Sequence, residues 1–341
     1  VHKKDGEEAS EDYLAAILAA YEGMQMPGIH ADAKKLAAEL RHEELAAYVR
    51  ELYDLWVAED APAKKKWVLY AVSIHGGEQI VPVLYAQIQE WAKGTRGAIA
   101  AEAVRALALN GTSTALLQVD QIGRKFRFRQ VKAAAAGALS SAAEQLGITR
   151  EELEDRIVPD LDFDQQMERV FDYGRRNFRV LLTPALTLEV YDEKGKRLKN
   201  LPAPGKQDDP EKAAASNEAW KLLKKQLKTV VTNQKSRLEQ ALGTERLWEV
   251  SRWNALFVKN PVMHQFAIGL IWGCYENGEL KDTFRYMEDG SFNTVDEEEY
   301  EPKEGAMIGL VHPIELAEDV LESWKEQLED YEVTQPLEQL N

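Results

Sequence analysis

Trp67-Val68-Leu69-Tyr70-Ala71-Val72-Ser73-Ile74 returns thirty-two residues later as Ile99-Ala100-Ala101-Glu102-Ala103-Val104-Arg105-Ala106, and after thirty-two more as Val131-Lys132-Ala133-Ala134-Ala135-Ala136-Gly137-Ala138. Trp67, Ala71 and Ile74 align with Ile99, Ala103 and Ala106 and with Val131, Ala135 and Ala138, each set at the i, i+4, i+7 spacing of one helical face. The small residues let a neighbouring helix come close. Leu84 aligns in the same way with Leu116, which gives each unit a second helix. Asp60-Ala61-Pro62, Gly76-Gly77, Gly94, Asn110-Gly111 and Gly147 punctuate the chain where those helices must stop. Helical hairpins at a fixed period are the pattern of an α-solenoid, in which each unit buries its apolar face against the next. Tetratricopeptide and ankyrin signatures are absent and the period is short for HEAT units, so residues 1–157 are expected to be HEAT/armadillo-like in a loose sense. Helices near 13–21 and 32–57, the latter with Leu45, Val49, Leu52 and Trp56 on one face, should cap or extend the stack.

At Pro159 the period changes. Residues 169–174, 177–182 and 186–191 read as strands, with Glu193-Lys194-Gly195-Lys196 as a hairpin turn, so 158–209 is expected to be a β-containing connector. Asp209-Pro210 then has an N-cap acceptor followed by Pro at the first helical position, and a long helix is predicted up to Gly243. A second helix is predicted over 244–258, ended by Asn260-Pro261, and a short apolar one near 263–268. Strands should flank Asn277-Gly278 and Asp289-Gly290, with another at 307–311 and a closing amphipathic helix carrying Val320, Leu321, Trp324 and Leu328. The fold class is mainly α: the solenoid, then an α+β domain over 210–341 with a small antiparallel sheet.

The net charge of −16 is uneven. Residues 274–341 hold 20 acids against Lys281, Arg285, Lys303 and Lys325, which accounts for all of it, and residues 169–206 hold nine bases against four acids. Such asymmetry bears on partners rather than on fold. Cys274 is the only cysteine, so an intrachain disulfide is excluded and a reducing, cytosolic setting is expected. No run approaches the roughly 18 to 20 apolar residues that span a bilayer, so no membrane partner is expected. Val1 in place of Met, in Val1-His2-Lys3-Lys4, predicts a piece of a longer protein.

Ile271-Trp272-Gly273, Phe284-Arg285-Tyr286-Met287-Glu288-Asp289-Gly290, Gly309-Leu310-Val311-His312-Pro313-Ile314-Glu315-Leu316 and Asp330-Tyr331-Glu332-Val333-Thr334-Gln335-Pro336, in that order, resemble the bacterial domain of unknown function found in MolR-like proteins. Those proteins are named as molybdate metabolism regulators and often carry a WGR domain. The resemblance covers about residues 178–341, and helical repeats ahead of the domain are similar to the family layout. It brings no catalytic residues with it. Trp272-Gly273 is followed by Cys274 rather than Arg, so it is not a WGR module and a nucleic-acid role does not transfer through it.

No cofactor fingerprint or metal motif is present, and none is expected to be bound. Asp160, Asp162 and Asp164 have the opening spacing of a calcium loop, but Gln165 stands where Gly is required and Phe171 where Glu is required. Arg124, Lys125, Arg127, Arg129 and Lys132, interleaved with Phe126 and Phe128, supply cations for phosphate and rings for stacking, and form the nucleic-acid-binding candidate. The same segment also reads as a helix junction with a Phe plugging the core. His312, Cys274 and His264 are the catalytic candidates, either His312 with Cys274 or His264 with Glu288. The functional expectation is a protein-interaction or scaffold fragment of a larger cytosolic bacterial protein, its acidic end suited to basic protein partners. A nucleic-acid-associated regulator and an enzyme centred on His312 and Cys274 are the alternatives.

Overall fold

Four of the nine α-helices in the first half of the chain open at a residue whose side chain caps them. In the computed structural model, which describes residues 1–341, α1 (Glu11–Glu22) opens at Ser10, whose hydroxyl accepts from Tyr13 N. α2 (Ala31–Ala38) and α3 (His42–Ala58) follow, with a break at 39–41 dividing the predicted 32–57 segment. Then come α4 (Trp67–His75), α5 (Ile80–Lys93), α6 (Gly97–Ala108), α7 (Ser113–Lys125), α8 (Arg129–Leu146) and α9 (Arg150–Arg156). Thr112 and Thr149 cap α7 and α9, and Gly147 ends α8 in the left-handed conformation that glycine adopts without strain.

The three aligned octets sit in α4, α6 and α8. These pack as a row, α4 on α6 and α6 on α8, while α5, α7 and α9 touch in succession as a second row. Ala71, Ala103, Ala106, Ile99, Val131, Ala135 and Ala138 are all buried, as are Leu84 and Leu116. The side chains that gave the period thus make the contact between neighbouring hairpins. Together these helices form one unit, Val1–Val158.

The second unit, Pro159–Asn341, carries both sheets. β1 (Glu168–Asp172), β2 (Asn177–Leu182), β3 (Leu188–Tyr191) and β4 (Arg197–Leu198) form an antiparallel meander. α10 (Pro210–Gly243) begins as predicted at Asp209, which accepts from Glu211 N and Lys212 N. The helix predicted over 244–258 is not formed as such. Leu247–Glu249 is a strand, β5, pairing Leu247 with Gly309; only α11 (Val250–Trp253) and a π turn (Asn254–Val258) follow it. Ladder bonds to a partner some sixty residues away outweigh local helical preference there.

The helical run stops at Val258, just ahead of Asn260-Pro261 as expected, and Asn260 also starts the next helix: its side chain accepts from Val262 N and Met263 N at the head of α12 (Pro261–Ala267). β6 (Ile271–Glu276) and β7 (Glu279–Tyr286) form the predicted hairpin, with Asn277 and Gly278 both at positive φ (52° and 78°), the two-residue turn that matches strand twist. β8 (Phe292–Asn293), β9 (Met307–Leu310) and α13 (Glu318–Asp330) complete the unit. The sheet order is β5-β9-β6-β7-β8, antiparallel throughout. Trp253, Trp272, Phe257, Phe284 and Tyr286 fill its core edge to face, with Trp253 and Trp272 centroids 5.2 Å apart. No helix is long and apolar enough to cross a membrane.

Candidate functional site

The basic segment forms the junction of α7 and α8. Lys125 ends α7, Phe126-Arg127-Phe128 is extended, and Arg129 opens α8. Phe126 packs its ring on Tyr85 (6.0 Å between centroids) and belongs to the helical core, as the junction reading expected. Phe128 instead is 41% exposed. At this junction lies an open depression of about 710 Å³ lined by Arg124, Lys125, Phe126, Arg127, Arg129 and Lys132. Arg124 is tied to Asp120 at 2.9 Å, whereas the other four cations have no acidic partner. Arg129 and Lys132 also sit in the first turn of α8, where backbone N–H groups already point outward and no acid answers them. The surface therefore attracts anions from both side chains and backbone. Arg176 and Arg179, in the second unit, are engaged locally, by Asp208 (2.9 Å) and Glu168 (3.2 Å).

The catalytic candidates are not brought together. Cys274 is fully buried on β6, opposite Ile308. His312 lies four residues beyond Ile308, about 13 Å of strand rise away, and is exposed. Its Nδ1 accepts from Ile314 N while Glu315 Oε2 accepts from His312 N, a reciprocal cap on a 3₁₀ turn. The neighbour of the Cys274 thiol is the Tyr300 phenol, whose ionisation is pushed up first by burial and then by that thiol. His264 is buried on α12, edge-on to Tyr286 at 5.0 Å, with Nδ1 3.2 Å from Gln265 Oε1. Burial holds its pKa below the ordinary histidine value, and Glu288 acts on it only as a distant charge. Asp160 and Asp164 accept backbone N–H groups of the turns that lead into β1.

A residue quoted above only for its place in Phe284-Arg285-Tyr286 has the least ordinary environment. Arg285, at the end of β7, is 4% exposed, hydrogen-bonds Gln327 Oε1 at 3.0 Å, and leaves its buried Nε without a partner. It faces a cavity of about 620 Å³ in the second unit. The walls are the Thr183–Thr187 turn between β2 and β3, the end of α12, residues 287–289 after β7, and residues 331–334 after α13. The signal in the sequence was a base set between the aromatic Phe284 and Tyr286 at the end of a strand; its lack of an ion pair depends on packing that no spacing reports.

Residues 195–341 match the family model described as a domain of unknown function, DUF4132. The chain is similar to the uncharacterized protein YehI of Escherichia coli (strain K12), 33% identical over 302 residues, covering 88% of this chain and 25% of that protein. The chain thus spans about a quarter of the length of that relative, and a match of this length has to run through both units. No solved structure matches the chain.

Proposed function

We propose that the chain is a protein-interaction or scaffold module of a larger cytosolic protein, in which the first unit is a short HEAT-like helical array that receives an acidic segment of a partner at the α7–α8 junction. The observation that carries this reading is the set of four unpaired cations, Lys125, Arg127, Arg129 and Lys132, around an open depression. Their charge is left unspent within the chain, and unpaired like charges held together repel unless an anion meets them. One exposed ring, Phe128, offers a single apolar contact; strand binders that stack bases use successive rings, and Phe126 is committed to the core. An acidic protein segment therefore fits better than single-stranded nucleic acid. The acid surplus of residues 274–341 supports a separate contact with basic partners. The MolR-like, WGR-associated resemblance belongs to the same proposal and is what favours a multidomain regulatory protein as the setting.

The test is anisotropy of a labelled Glu-rich peptide and of random-sequence single-stranded DNA titrated with the 341-residue chain at two salt concentrations. The peptide should bind, weaken at the higher salt, and be lost in the Arg127→Glu, Arg129→Glu double variant. Tighter binding of the DNA would replace this reading with the nucleic-acid one, and absence of binding by both would remove the junction as a recognition surface.

A further inference from the structure

Of the four bases in residues 274–341, three are paired on the surface: Lys281 with Glu279 (2.7 Å), Lys325 with Glu322 (3.2 Å) and Lys303 with Glu276 (3.8 Å). Arg285 is the exception. It is the buried one, it has no carboxylate partner, and it lies in a segment with 20 acids to choose from. A guanidinium has five N–H donors in a planar fork. One is engaged by the neutral amide of Gln327, and the Tyr331 ring covers the group at 5.3 Å. Taking a cation out of water without an anion is costly, so folded chains pair such groups with a carboxylate or leave them for a ligand. Here Arg285 is one of the residues that line the cavity.

The mouth of the cavity has the opposite charge. Glu288 and Glu332 line it, are exposed and make no ion pair, and Glu288 and Glu297 act on Arg285 only as charges beyond ion-pair distance. Glu189, by contrast, is engaged by Arg197 (3.5 Å) and by the Tyr191 phenol (2.5 Å), and Asp289 by Ser291. The other walls are apolar or neutral: Pro184, Ile268, Met287 and Val333, with Thr183 and Thr187 bonded to each other. A simple anion would be repelled on entry by the rim, and a simple cation would meet Arg285. A molecule with both charges satisfies both ends.

We infer that this cavity binds a small zwitterion of the α-amino-acid class, free or as the ends of a short peptide, with its carboxylate on the Arg285 fork, its ammonium at Glu288 and Glu332, and an apolar side chain against Ile268, Met287 and Val333. The volume of about 620 Å³ lies in the range of ordinary small-molecule sites. Carboxylate on guanidinium is the bidentate match that arginine serves best. This site is independent of the surface proposed at the α7–α8 junction.

The experiment is calorimetric titration of the 341-residue chain with L-leucine and L-leucyl-L-leucine, alongside L-leucinamide, which lacks the carboxylate, and N-acetyl-L-leucine, which lacks the ammonium. At least one zwitterion should bind, and which one does identifies the source of the ligand. The amide and the acetyl compound should each bind about tenfold more weakly or less, the loss of one charge-assisted contact. Arg285→Lys should weaken the zwitterion, and Glu288→Gln with Glu332→Gln should narrow the gap between L-leucine and N-acetyl-L-leucine. If Arg285→Lys fails to fold by circular dichroism, the exposed rim variant carries the test. No heat with either zwitterion, equal binding of amide and parent, or an unchanged gap in the rim variant overturns the inference.

Discussion

The phenol of Tyr70 donates a hydrogen bond of 2.5 Å to Glu102 Oε1, and the two residues hold the same position in successive repeats, thirty-two apart. Glu102 is 8% exposed and is also met by Arg105 (3.1 Å) and Lys66 (3.2 Å). Burial, with Glu102 as the next cause, pushes the Tyr70 pKa up, so the phenol stays a donor. The row α4-α6 is therefore held by a polar pair as well as by small residues. Tyr70→Phe should cost about 1 to 2 kcal/mol, and Glu102→Ala about 2 to 3 kcal/mol because the fully buried phenol then lacks an acceptor. Urea denaturation of both single variants and the double variant should return a coupling of about 1 kcal/mol or more; additive losses would show that the pair is not a unit.

Stability of the first unit should fall between pH 7 and pH 4. His75 Nε2 lies 2.5 Å from the Tyr21 hydroxyl, and burial, aided by the charge of His42, lowers the His75 pKa from 6.5 to about 4. Between those values the unfolded chain binds a proton that the folded one does not, so stability is lost as pH falls through 6.5 and levels off below about 4. The lowered pKa corresponds to about 3 kcal/mol at most. Urea midpoints at pH 7 and pH 5 measure it, and His75→Gln should flatten the difference; an unchanged pH slope would mean that His75 is not its source.

Gln339 joins two strand ends across the sheet. Its side chain, 1% exposed, accepts from Ile271 N (2.9 Å) and donates to Ile271 O (2.6 Å) and Val311 O (2.9 Å). Gln339→Leu removes the side-chain partner of Ile271 N and Val311 O, while Ile271 O keeps Val311 N as a donor, and should cost about 2 to 4 kcal/mol. Hydrogen exchange at the Ile271 amide should lose its protection first. Protection equal to that of the unaltered chain would show that solvent or a neighbour replaces the amide.

Gly273 and Gly278 should respond to alanine for different reasons. A Cβ at Gly273 would lie 2.6 Å from Leu280 Cδ1, 2.8 Å from the Tyr275 ring and 2.9 Å from Val311 Cγ2, so overpacking should cost about 1 to 3 kcal/mol. At Gly278 the space is open and only the positive φ of 78° resists, at about 1 kcal/mol. Thermal denaturation should rank Gly273→Ala below Gly278→Ala; the reverse order would mean that the hairpin turn, not the strand crossing, limits stability.

Much of the secondary structure was legible because its determinants are local. The i, i+4, i+7 spacing of Ile99, Ala103 and Ala106, the cap Asp209-Pro210 and the turn Asn277-Gly278 each act within one or two turns of chain, and each is present where the spacing put it. Leu247–Glu249 was misread as helix because its fate is set by Met307–Gly309, and Asn260-Pro261 was read only as a stop, though Asn260 also caps the next helix, because a cap and a breaker share the same residues. The candidate sites divide in the same way. The charge of Arg127, Arg129 and Lys132 is in the sequence, but only the fold shows that Phe126 is half-buried against Tyr85 and Phe128 is left outside.

By itself, then, the sequence determined the helical period, the caps, the hairpin and the acidic end, all properties of neighbouring residues. Tertiary structure alone decided that Cys274 and His312 stay apart, that Gln339 reaches Ile271 across 68 positions, and that Arg285 is buried against Gln327 with no carboxylate. Burial and pairing are set by which distant segments come to share one space, and residue spacing along the chain carries no measure of that.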